Sequence, residues 1–556
     1  MNKTLLATIA FTLLAHGAAK PCTNLIVTRG ASQNGSVMVS YAADSHTRYG
    51  TLVYFPAAKY PEGTMLKIYE WGKNRYLGEI PQVRETYTVT GNMNEHQVII
   101  GESTWGGLES QFDPEGIVDY GSLMYIALQR AKTAREAIAV FADLTSKYGY
   151  ASTGESISIA DKNEAWILEI IGKAPKKVDG VTVNKGAVWV AVRIPDGAIS
   201  GHANQARITR FPLNDPDNCL YSPDVISHAR EQGLFNGKDE DFSFAETYGP
   251  ADGETIRGCD ARVWSFFNRF AALDMSSYLD YALGHNVENR IPLYVYPKVK
   301  LSVKDVAAMM RDHFEGTPMD MTQDIGAGGN VLPYRWRPMN FEVDGKKYFN
   351  ERAIATQQTG FWFIGECRAD IPDEIGGIFW FGVDDAATSP LTPVYTSSLR
   401  ISNHYALGNG SMIEYSESSM FWIVNRIAQF AYLRYNHIGN EVREVVAKHE
   451  NKKFEEVKAV DKAALMLLKS NPELVSEFLT TYSVTGANAL FQKWKELDKY
   501  LLVKYIDGNT KKQNPDGSFK NNGHTPEIPP APDFPGYSEL WKRVVKENAG
   551  ERLSIE

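Results

Sequence analysis

Short runs of β-branched and aliphatic residues, separated by turn residues, fill the chain from residue 22 to about residue 110. The runs TNLIVTRG and SVMVSYAAD flank the turn signal ASQNG and predict the two strands of a hairpin. YTVTGNMNEHQVIIGEST predicts two more strands around a loop. Two further strand regions are ESISIADKNEAWILEIIGK and GAVWVAVRIPDG.

Between these strand regions, DYGSLMYIALQRAKTAREAIAVFADLTSKYG has the apolar spacing of a helix. Thr133 and Glu136 match a capping box, so the segment can divide into two helices. Strands, then helices, then strands predict layers of sheet and helix, an α+β fold rather than a doubly wound α/β fold.

The last quarter of the chain has a different pattern. Residues from about 415 to 505 are mostly helical in spacing, and the stretch 419–438 places its apolar residues on one face. Asn471-Pro472-Glu473 is a typical helix start. Residues 508–537 are polar and rich in proline, which predicts an extended tail on the surface.

The first residues have the pattern of a secretion signal. Lys3 gives a basic start, Leu5–Ala15 is apolar, and small residues follow up to Ala19. An apolar run of this length is shorter than the roughly 20 residues that span a bilayer. We therefore expect a signal peptide over 1–19, a short propeptide at 20–21, and an exported protein, periplasmic or secreted.

Composition narrows the possible partners. The formal net charge is −9, which argues against nucleic acid or an anionic membrane as the main partner. Four cysteines in 556 residues do not form a disulfide framework, although Cys219 and Cys259 could pair. No two cysteines have the spacing of a zinc site, and we expect neither a metal nor a cofactor.

Cys22 follows Pro21, just beyond the predicted signal peptide, and it is a candidate nucleophile. A thiol with a pKa of about 8.5 needs a base near neutral pH. A histidine on another element could be that base, but none of the 11 histidines lies in a papain-like setting. If the bond before Cys22 is cut, the new α-amine can accept the thiol proton instead.

The predicted hairpin places a carboxylate beside this amine. If its turn centres near Gln33, the residue opposite Cys22 lies near position 44, where the chain has Asp44. Asp44 could orient the ammonium group of a processed Cys22. It could equally be a solvent-facing residue at the end of a strand.

Several blocks of sequence carry a family resemblance. They are CTNLIVTRGAS at 22–32, GNMNEHQVIIGESTWGG at 91–107, ADKNEAWILEIIG at 160–172, VRIPDGAISGHANQARI at 192–208, and further on ARVWSFFNRFA, QQTGFWFIGECR and GGIFWFGVDD. In number and order they resemble the cysteine dipeptidases of the dipeptidase A type, in the N-terminal-nucleophile hydrolase superfamily. Bile salt hydrolases and penicillin V acylases are more distant relatives with a similar opening.

The resemblance implies an αββα sandwich with Cys22 at the start of a central strand. It implies self-cleavage before Cys22 and hydrolysis of short peptides through a thioester. The catalytic domain would cover 22–415, and 416–556 would be a helical C-terminal region that ends in the proline-rich tail.

The resemblance also assigns roles to single residues. Cys22 is the nucleophile, Asp44 holds its α-amine, and Asn94 lines the oxyanion hole. Asn204 lies near the amine and the nucleophile. Arg262 is the distal arginine of the site, with Arg257 and Arg269 as rivals.

One position departs from the family pattern. Where relatives have Arg-Asn-x-Asp, this chain has Tyr41-Ala42-Ala43-Asp44. We expect Tyr41 to contact substrate, and a thiolate beside it lacks the fixed positive charge of an arginine. The remaining acids that could resemble acid–base groups, and two tryptophans in the matched blocks, are interpreted as structural, surface or core residues: Glu102, Glu109, Asp384, Asp385, Trp105 and Trp166.

The functional prediction is an exported cysteine dipeptidase that acts on small peptides. Three alternatives remain. The same machinery could hydrolyse acylated amides of the bile-salt or penicillin type. The protein could be a catalytically weak extracellular protein that binds peptides, or a papain-type protease with an internal Cys22. The sequence leaves open whether the chain forms homo-oligomers.

Overall fold

The computed structural model describes residues 22–556, so the predicted signal peptide and propeptide lie outside the described residues. The strands are β1 Cys22–Val27, β2 Val37–Asp44, β3 Tyr54–Phe55, β4 Ala58–Lys59, β5 Met65–Tyr69, β6 Tyr76–Pro81, β7 Glu85–Thr86, β8 Val89–Thr90, β9 Met93–Asn94, β10 Ile99–Gly106, β11 Gly154–Ala160, β12 Ala165–Gly172, β13 Lys177–Val178, β14 Val181–Thr182, β15 Ala187–Arg193, β16 Ile199–His202, β17 Cys219–Tyr221, β18 Tyr294–Val295, β19 Asn340–Val343, β20 Lys346–Phe349, β21 Thr359–Cys367, β22 Gly377–Val383 and β23 Thr392–Tyr395.

The α-helices are α1 Tyr120–Arg130, α2 Ala134–Tyr148, α3 Val225–Glu231, α4 Phe244–Tyr248, α5 Gly253–Gly258, α6 Asp260–Phe270, α7 Leu279–Ala282, α8 Val303–Met310, α9 Asp373–Gly376, α10 Met420–Leu433, α11 Asn440–Ser470, α12 Val475–Tyr505 and α13 Glu539–Ala549. None of the helices described in 22–556 is long and apolar enough to cross a membrane.

Two antiparallel sheets form the centre of the molecule. One has seven strands in the order β18-β16-β1-β2-β21-β22-β23. The other has eight, in the order β17-β15-β12-β11-β10-β9-β8-β3. Cys22 therefore begins a strand in the interior of its sheet, with β16 on one side and β2 on the other.

Apolar side chains from alternate positions of the strands form three packed layers. One cluster, which includes Ile26 of β1 and Ile167 of β12, lies between the two sheets. A second cluster joins the other face of β1, through Leu25, to α6 and α8. A third joins the outer face of the eight-stranded sheet to α1 and α2. Helices thus cover both outer faces, and the expected α+β fold of αββα layers is confirmed.

The hairpin of β1 and β2 differs from the prediction by one residue. Cys22 pairs with Ala43, so Asp44 lies one position beyond the residue opposite Cys22. The pairing of β2 with β21 shifts register between Ala43 and Asp44. This irregularity turns the end of β2 and places the Asp44 side chain in the buried interior.

The predicted helices are present, with details that the pattern did not contain. The segment that includes Thr133 does divide into α1 and α2, and the Thr133 hydroxyl caps α2. The Glu136 carboxylate accepts from the backbone N–H of Lys132 rather than that of Thr133, so the reciprocal half of the capping box is displaced by one residue.

The C-terminal helices share the core of the sheets. Val424 of α10 and Trp494 of α12 belong to the cluster between the sheets. The helical character predicted for this region is confirmed, whereas α13 follows the proline-rich segment without having been predicted. The predicted boundary at residue 415 stays a prediction.

The side chains of all four cysteines are buried and free, including Cys219 and Cys259. Trp166 is fully buried in the core, as expected, and Trp105 is half-buried against it.

The two sheets lie close together where Gly101 of β10 faces Asn24 of β1. A Cβ atom at Gly101 would lie 2.2 Å from the Asn24 Oδ1 atom. The Asn24 amide cannot yield easily, because its Nδ2 atom donates to the carbonyl oxygen of Glu102 at 2.6 Å. Glycine at this position therefore sets the spacing of the sheets beside Cys22.

We expect Gly101→Ala to lower the free energy of unfolding by about 1–3 kcal/mol, because the added methyl group overpacks this contact. Gly486→Ala, in α12, is the matched control. Its Cβ would meet only the Lys453 Nζ atom at 3.6 Å. That variant should gain about 0.5–1 kcal/mol from helix propensity. Urea unfolding of both variants measures the difference, and equal shifts would contradict the packing argument.

Candidate active site

Cys22 is the first residue of β1 and is only 4% exposed. Its backbone N–H donates to the Oδ1 atom of Asn204 at 2.8 Å. Asn204 follows β16, the strand that pairs with β1, and it adopts a positive φ of 59° that few residues other than glycine and asparagine accept. The turn after β16 therefore aims an amide oxygen at the nitrogen of Cys22. The structure brings these two predicted site residues together.

Arg262 is the arginine that reaches Cys22. It lies on α6, and its side chain is fully buried. Its guanidinium donates to the carbonyl oxygen of Cys22 at 2.7 Å and to the Oδ1 atom of Asn204 at 2.9 Å. The two rivals lie elsewhere: Arg257 pairs with a glutamate, and Arg269 is half exposed near Asp312.

Asp44 is buried on the same side of Cys22. Its Oδ1 atom accepts from the Thr359 hydroxyl at 2.7 Å, whereas its Oδ2 atom has no hydrogen-bond partner among the described residues. Burial raises the pKa of Asp44 to about 7, although the charges of Arg352 and Arg262 oppose this rise. The site thus holds a carboxyl group with one free oxygen.

Arg352 is a member of this group that the sequence did not indicate. It is buried, and it donates to the Oδ1 atom of Asn204 at 3.2 Å. Burial lowers its pKa to about 9. It lies in none of the sequence blocks that carry the resemblance, so no signal identified it.

On the other side of Cys22, the thiol contacts the side chains of Tyr41 and Glu102. The Sγ atom lies 3.5 Å from the Tyr41 hydroxyl and 3.7 Å from the Oε1 atom of Glu102. The Tyr41 hydroxyl also donates to this Glu102 oxygen at 2.5 Å. Burial raises the pKa of the Cys22 thiol well above its usual value, and the charges of Glu102 and Asp44 add to that effect.

Glu102 is not on the surface, which was one of the two roles expected for it. It comes from β10, in the opposite sheet, and contacts the candidate nucleophile. One signal could have identified it, because a carboxylate interrupts the otherwise apolar and buried run at the start of β10. Glu109 is exposed, as expected, and Asp384 and Asp385 bond to side chains of other elements.

The structure does not bring Asn94 to the cysteine. Its Nδ2 atom donates to the carbonyl oxygens of Leu128 and Ala131, both at 2.7 Å. Its Oδ1 atom accepts from the backbone N–H groups of His96 and Val98, both at 3.0 Å. The amide group thus forms hydrogen bonds with carbonyl oxygens at the end of α1 and with N–H groups of its own turn. Both of its N–H donors are used, so none is left for an oxyanion at Cys22.

No histidine among residues 22–556 forms a hydrogen bond to the Cys22 thiol. The histidine on the neighbouring strand, His202, lies between the hydroxyls of Ser103 and Ser158 at 2.6 and 2.8 Å. Burial lowers its pKa to about 3, so it stays neutral. The described part of the chain contains no group of three or more side chains that could hold a metal ion.

Comparison with known sequences gives one family. The profile described as Peptidase family C69 matches residues 48–448, which is more than half of the chain. A probable dipeptidase of Salmonella dublin is 24% identical over 420 residues, which cover 72% of this chain and 86% of that protein. A probable dipeptidase of Latilactobacillus sakei is 26% identical over 398 residues, covering 68% and 74%. Probable dipeptidase B of Streptococcus pyogenes serotype M1 is 23% identical over 381 residues, covering 68% and 69%.

The raised pKa of Asp44 predicts how the stability of the uncleaved chain depends on pH. We expect Cys22→Ala to keep the chain uncleaved, so it is the parent for this comparison. The carboxyl group has a pKa of 3.8 when unperturbed and about 7 in the fold. Between these values the folded state binds the proton more tightly, so this group's contribution to stability is lost as the pH rises. Asp44→Asn removes this titrating group. The free energy of unfolding of the double variant, relative to that of Cys22→Ala alone, should therefore increase with pH by up to about 1.4 kcal/mol per pH unit.

Urea unfolding at several pH values between 5 and 8 measures this difference. Asp217→Asn in the same Cys22→Ala background is the control, because Asp217 is exposed. A difference between Asp44→Asn and its parent that does not change with pH would contradict the prediction.

Proposed function

Because the chain belongs to peptidase family C69 and is therefore a peptide-bond hydrolase, we propose that it is a cysteine dipeptidase with Cys22 as its nucleophile. We also propose that it is exported and that Cys22 becomes the first residue of the active form. The names of the relatives support the substrate class. The opening pattern of residues 1–19 supports export.

One observation carries the mechanistic part of the proposal. Buried polar groups surround the backbone nitrogen of Cys22 as well as its thiol. Asn204 accepts from this nitrogen at 2.8 Å, and Arg262 fixes the adjacent carbonyl oxygen. Asp44 has a free carboxyl oxygen on the same side. A cysteine that used only its thiol would not need these partners, whereas a new α-ammonium group would.

The reaction then follows from these positions. Cleavage before Cys22 frees an α-amine with a pKa of about 7.7–8.0, which accepts the thiol proton. The sulfur attacks the peptide carbonyl carbon, and the C–N bond breaks as the ammonium group returns the proton to the leaving amine. Water then attacks the thioester carbonyl carbon and gives a proton to the amine. The C–S bond breaks, the ammonium group returns the proton to the sulfur, and the acid is released. Asn204 and Asp44 would orient the amine throughout.

The alternatives have less support. A papain-type mechanism needs a histidine base, and the neutral, buried His202 serves two serine hydroxyls instead. An amidase for acylated amines would share the nucleophile but not the substrate. A peptide-binding protein without turnover would keep the fold and lose the chemistry.

The first test is the N-terminus of the exported protein, measured by mass spectrometry on wild type and Cys22→Ala. We expect wild type to begin at Cys22, and Cys22→Ala to retain Lys20-Pro21 and lose dipeptide hydrolysis by at least about a thousandfold. Cys219→Ala is the matched control, because Cys219 is also a buried free cysteine but lies on β17. It should be processed and active.

Three results would contradict the proposal. An active wild-type protein that keeps Lys20-Pro21 would exclude the α-amine as base. Binding of dipeptides without release of amino acids, or faster cleavage of N-acylated substrates than of free dipeptides, would favour the alternatives.

A further inference from the structure

Two glutamates on neighbouring strands share one face of the eight-stranded sheet. Thr104 of β10 pairs with Glu155 of β11, and Glu102 precedes Thr104 by two positions. Side chains two positions apart on a strand point to the same side, so Glu102 and Glu155 are diagonal neighbours. The Thr104 hydroxyl donates to the Oε1 atom of Glu155 at 2.7 Å. We call Glu102 and Glu155 the acidic pair.

The acidic pair is buried, and only neutral groups donate hydrogen bonds to it among the described residues. Glu102 is 2% exposed and Glu155 is 1% exposed, and the Oε2 atom of each has no hydrogen-bond partner among the described residues. Neither forms an ion pair within 22–556. Arg48 is the cation whose charge reaches Glu102, but its guanidinium stacks on the ring of Trp71 at 4.7 Å.

A confined pair of carboxylates cannot ionise fully without a cation. Burial raises the pKa of Glu155 well above its usual value, and the charge of Glu102 raises it further. A bound positive group would remove this repulsion and would satisfy the free oxygens. The described residues contain no third ligand that would complete a metal site. An organic ammonium group fits two carboxylates better than a metal ion does.

The position of the acidic pair relative to the thiol indicates which ammonium group. The Oε1 atom of Glu102 lies 3.7 Å from the Sγ atom of Cys22. In a dipeptide the α-nitrogen is two bonds from the attacked carbonyl carbon, which places it about 2.5 Å from that carbon. A substrate whose carbonyl carbon meets the sulfur therefore brings its own α-ammonium group within reach of Glu102.

Arg48, Thr104 and Tyr120 lie around the acidic pair, and all three are only half-buried. A thin layer of partly exposed side chains therefore separates the pair from solvent on this side. An N-acylated substrate would leave both carboxylates without a cation, which carries a large penalty in a buried site.

We propose that Glu102 and Glu155 form the subsite that binds the α-ammonium group of the peptide substrate, and so select peptides with a free N-terminus. This inference rests on the proposed function. It assigns the subsite to residues that contact substrate and leaves the role of Cys22 unchanged.

The test compares Glu155→Gln with wild type, because Glu155, unlike Glu102, does not contact the thiol. The substrates are a dipeptide that wild type cleaves, chosen from a panel of alanyl dipeptides, and its propionyl analogue, in which hydrogen replaces the ammonium group. We expect wild type to prefer the dipeptide by at least about a hundredfold in kcat/KM. Glu155→Gln should reduce that preference at least about tenfold, mainly through a higher KM. Glu109→Gln, which removes an exposed carboxylate just after β10, should leave it unchanged.

A second measurement needs no variant. Alaninol carries the free ammonium group and should inhibit wild type competitively, whereas N-acetylalaninol should not. Equal inhibition by both compounds, or an unchanged substrate preference in folded Glu155→Gln, would overturn the subsite while Cys22-dependent hydrolysis persists. Absence of dipeptide hydrolysis in processed wild type would instead overturn the proposed function together with the subsite.

Discussion

The arrangement of the site depends on the buried guanidinium of Arg262. Within residues 22–556 its guanidinium donates hydrogen bonds to neutral oxygens, among them the carbonyl oxygens of Cys22 and Ala203 and the side chain of Asn204. A buried charge is tolerated only where hydrogen bonds replace its hydration, so these oxygens must stay where they are. One side chain of α6 thereby fixes the first residue of β1 and the turn after β16. The distance between the nitrogen of Cys22 and Asn204 follows from that constraint.

Charge is distributed unevenly about Cys22. Arg262 and Arg352 lie on the side of its backbone nitrogen, together with Asn204, whereas Glu102 lies on the side of its thiol. Because both sides are buried, little solvent screens the difference between them. The cationic side can hold the carboxyl group of Asp44 close to a new ammonium group. The acidic side lacks a cation of its own, which is the asymmetry that a substrate with a positive N-terminus would complete.

The sequence predicted the parts of this site that depend on local pattern. Alternation and a turn signal predicted that the residue opposite Cys22 lies near Asp44, and the observed partner is Ala43. The register shift between Ala43 and Asp44 has no signature in the sequence. Asn204 and Arg262 came from matched blocks, and both reach Cys22. Asn94 also lies in a matched block, but its amide serves its own turn and the end of α1. The apolar run before Glu102 could have indicated that this carboxylate is buried, but its approach to Cys22 could not be predicted, because it depends on how two sheets pack.

Burial is the main reason why the thiol of Cys22 is held in its neutral form, and Tyr41 supplies no positive charge to oppose it. A tyrosine hydroxyl can donate to sulfur but carries no positive charge, and here it already donates to Glu102. Burial and the charges of Glu102 and Asp44 raise the pKa of the thiol, and they outweigh the hydrogen bonds from Tyr41 and the Asp44 backbone, so the neutral thiol is favoured at rest. Nucleophilic attack then requires a base that removes the proton during the reaction. A free α-amine on Cys22 itself meets that need with the shortest proton path, since it shares a residue with the sulfur. Because position 41 carries no fixed positive charge, the proposed chemistry depends all the more on a free α-amine at Cys22.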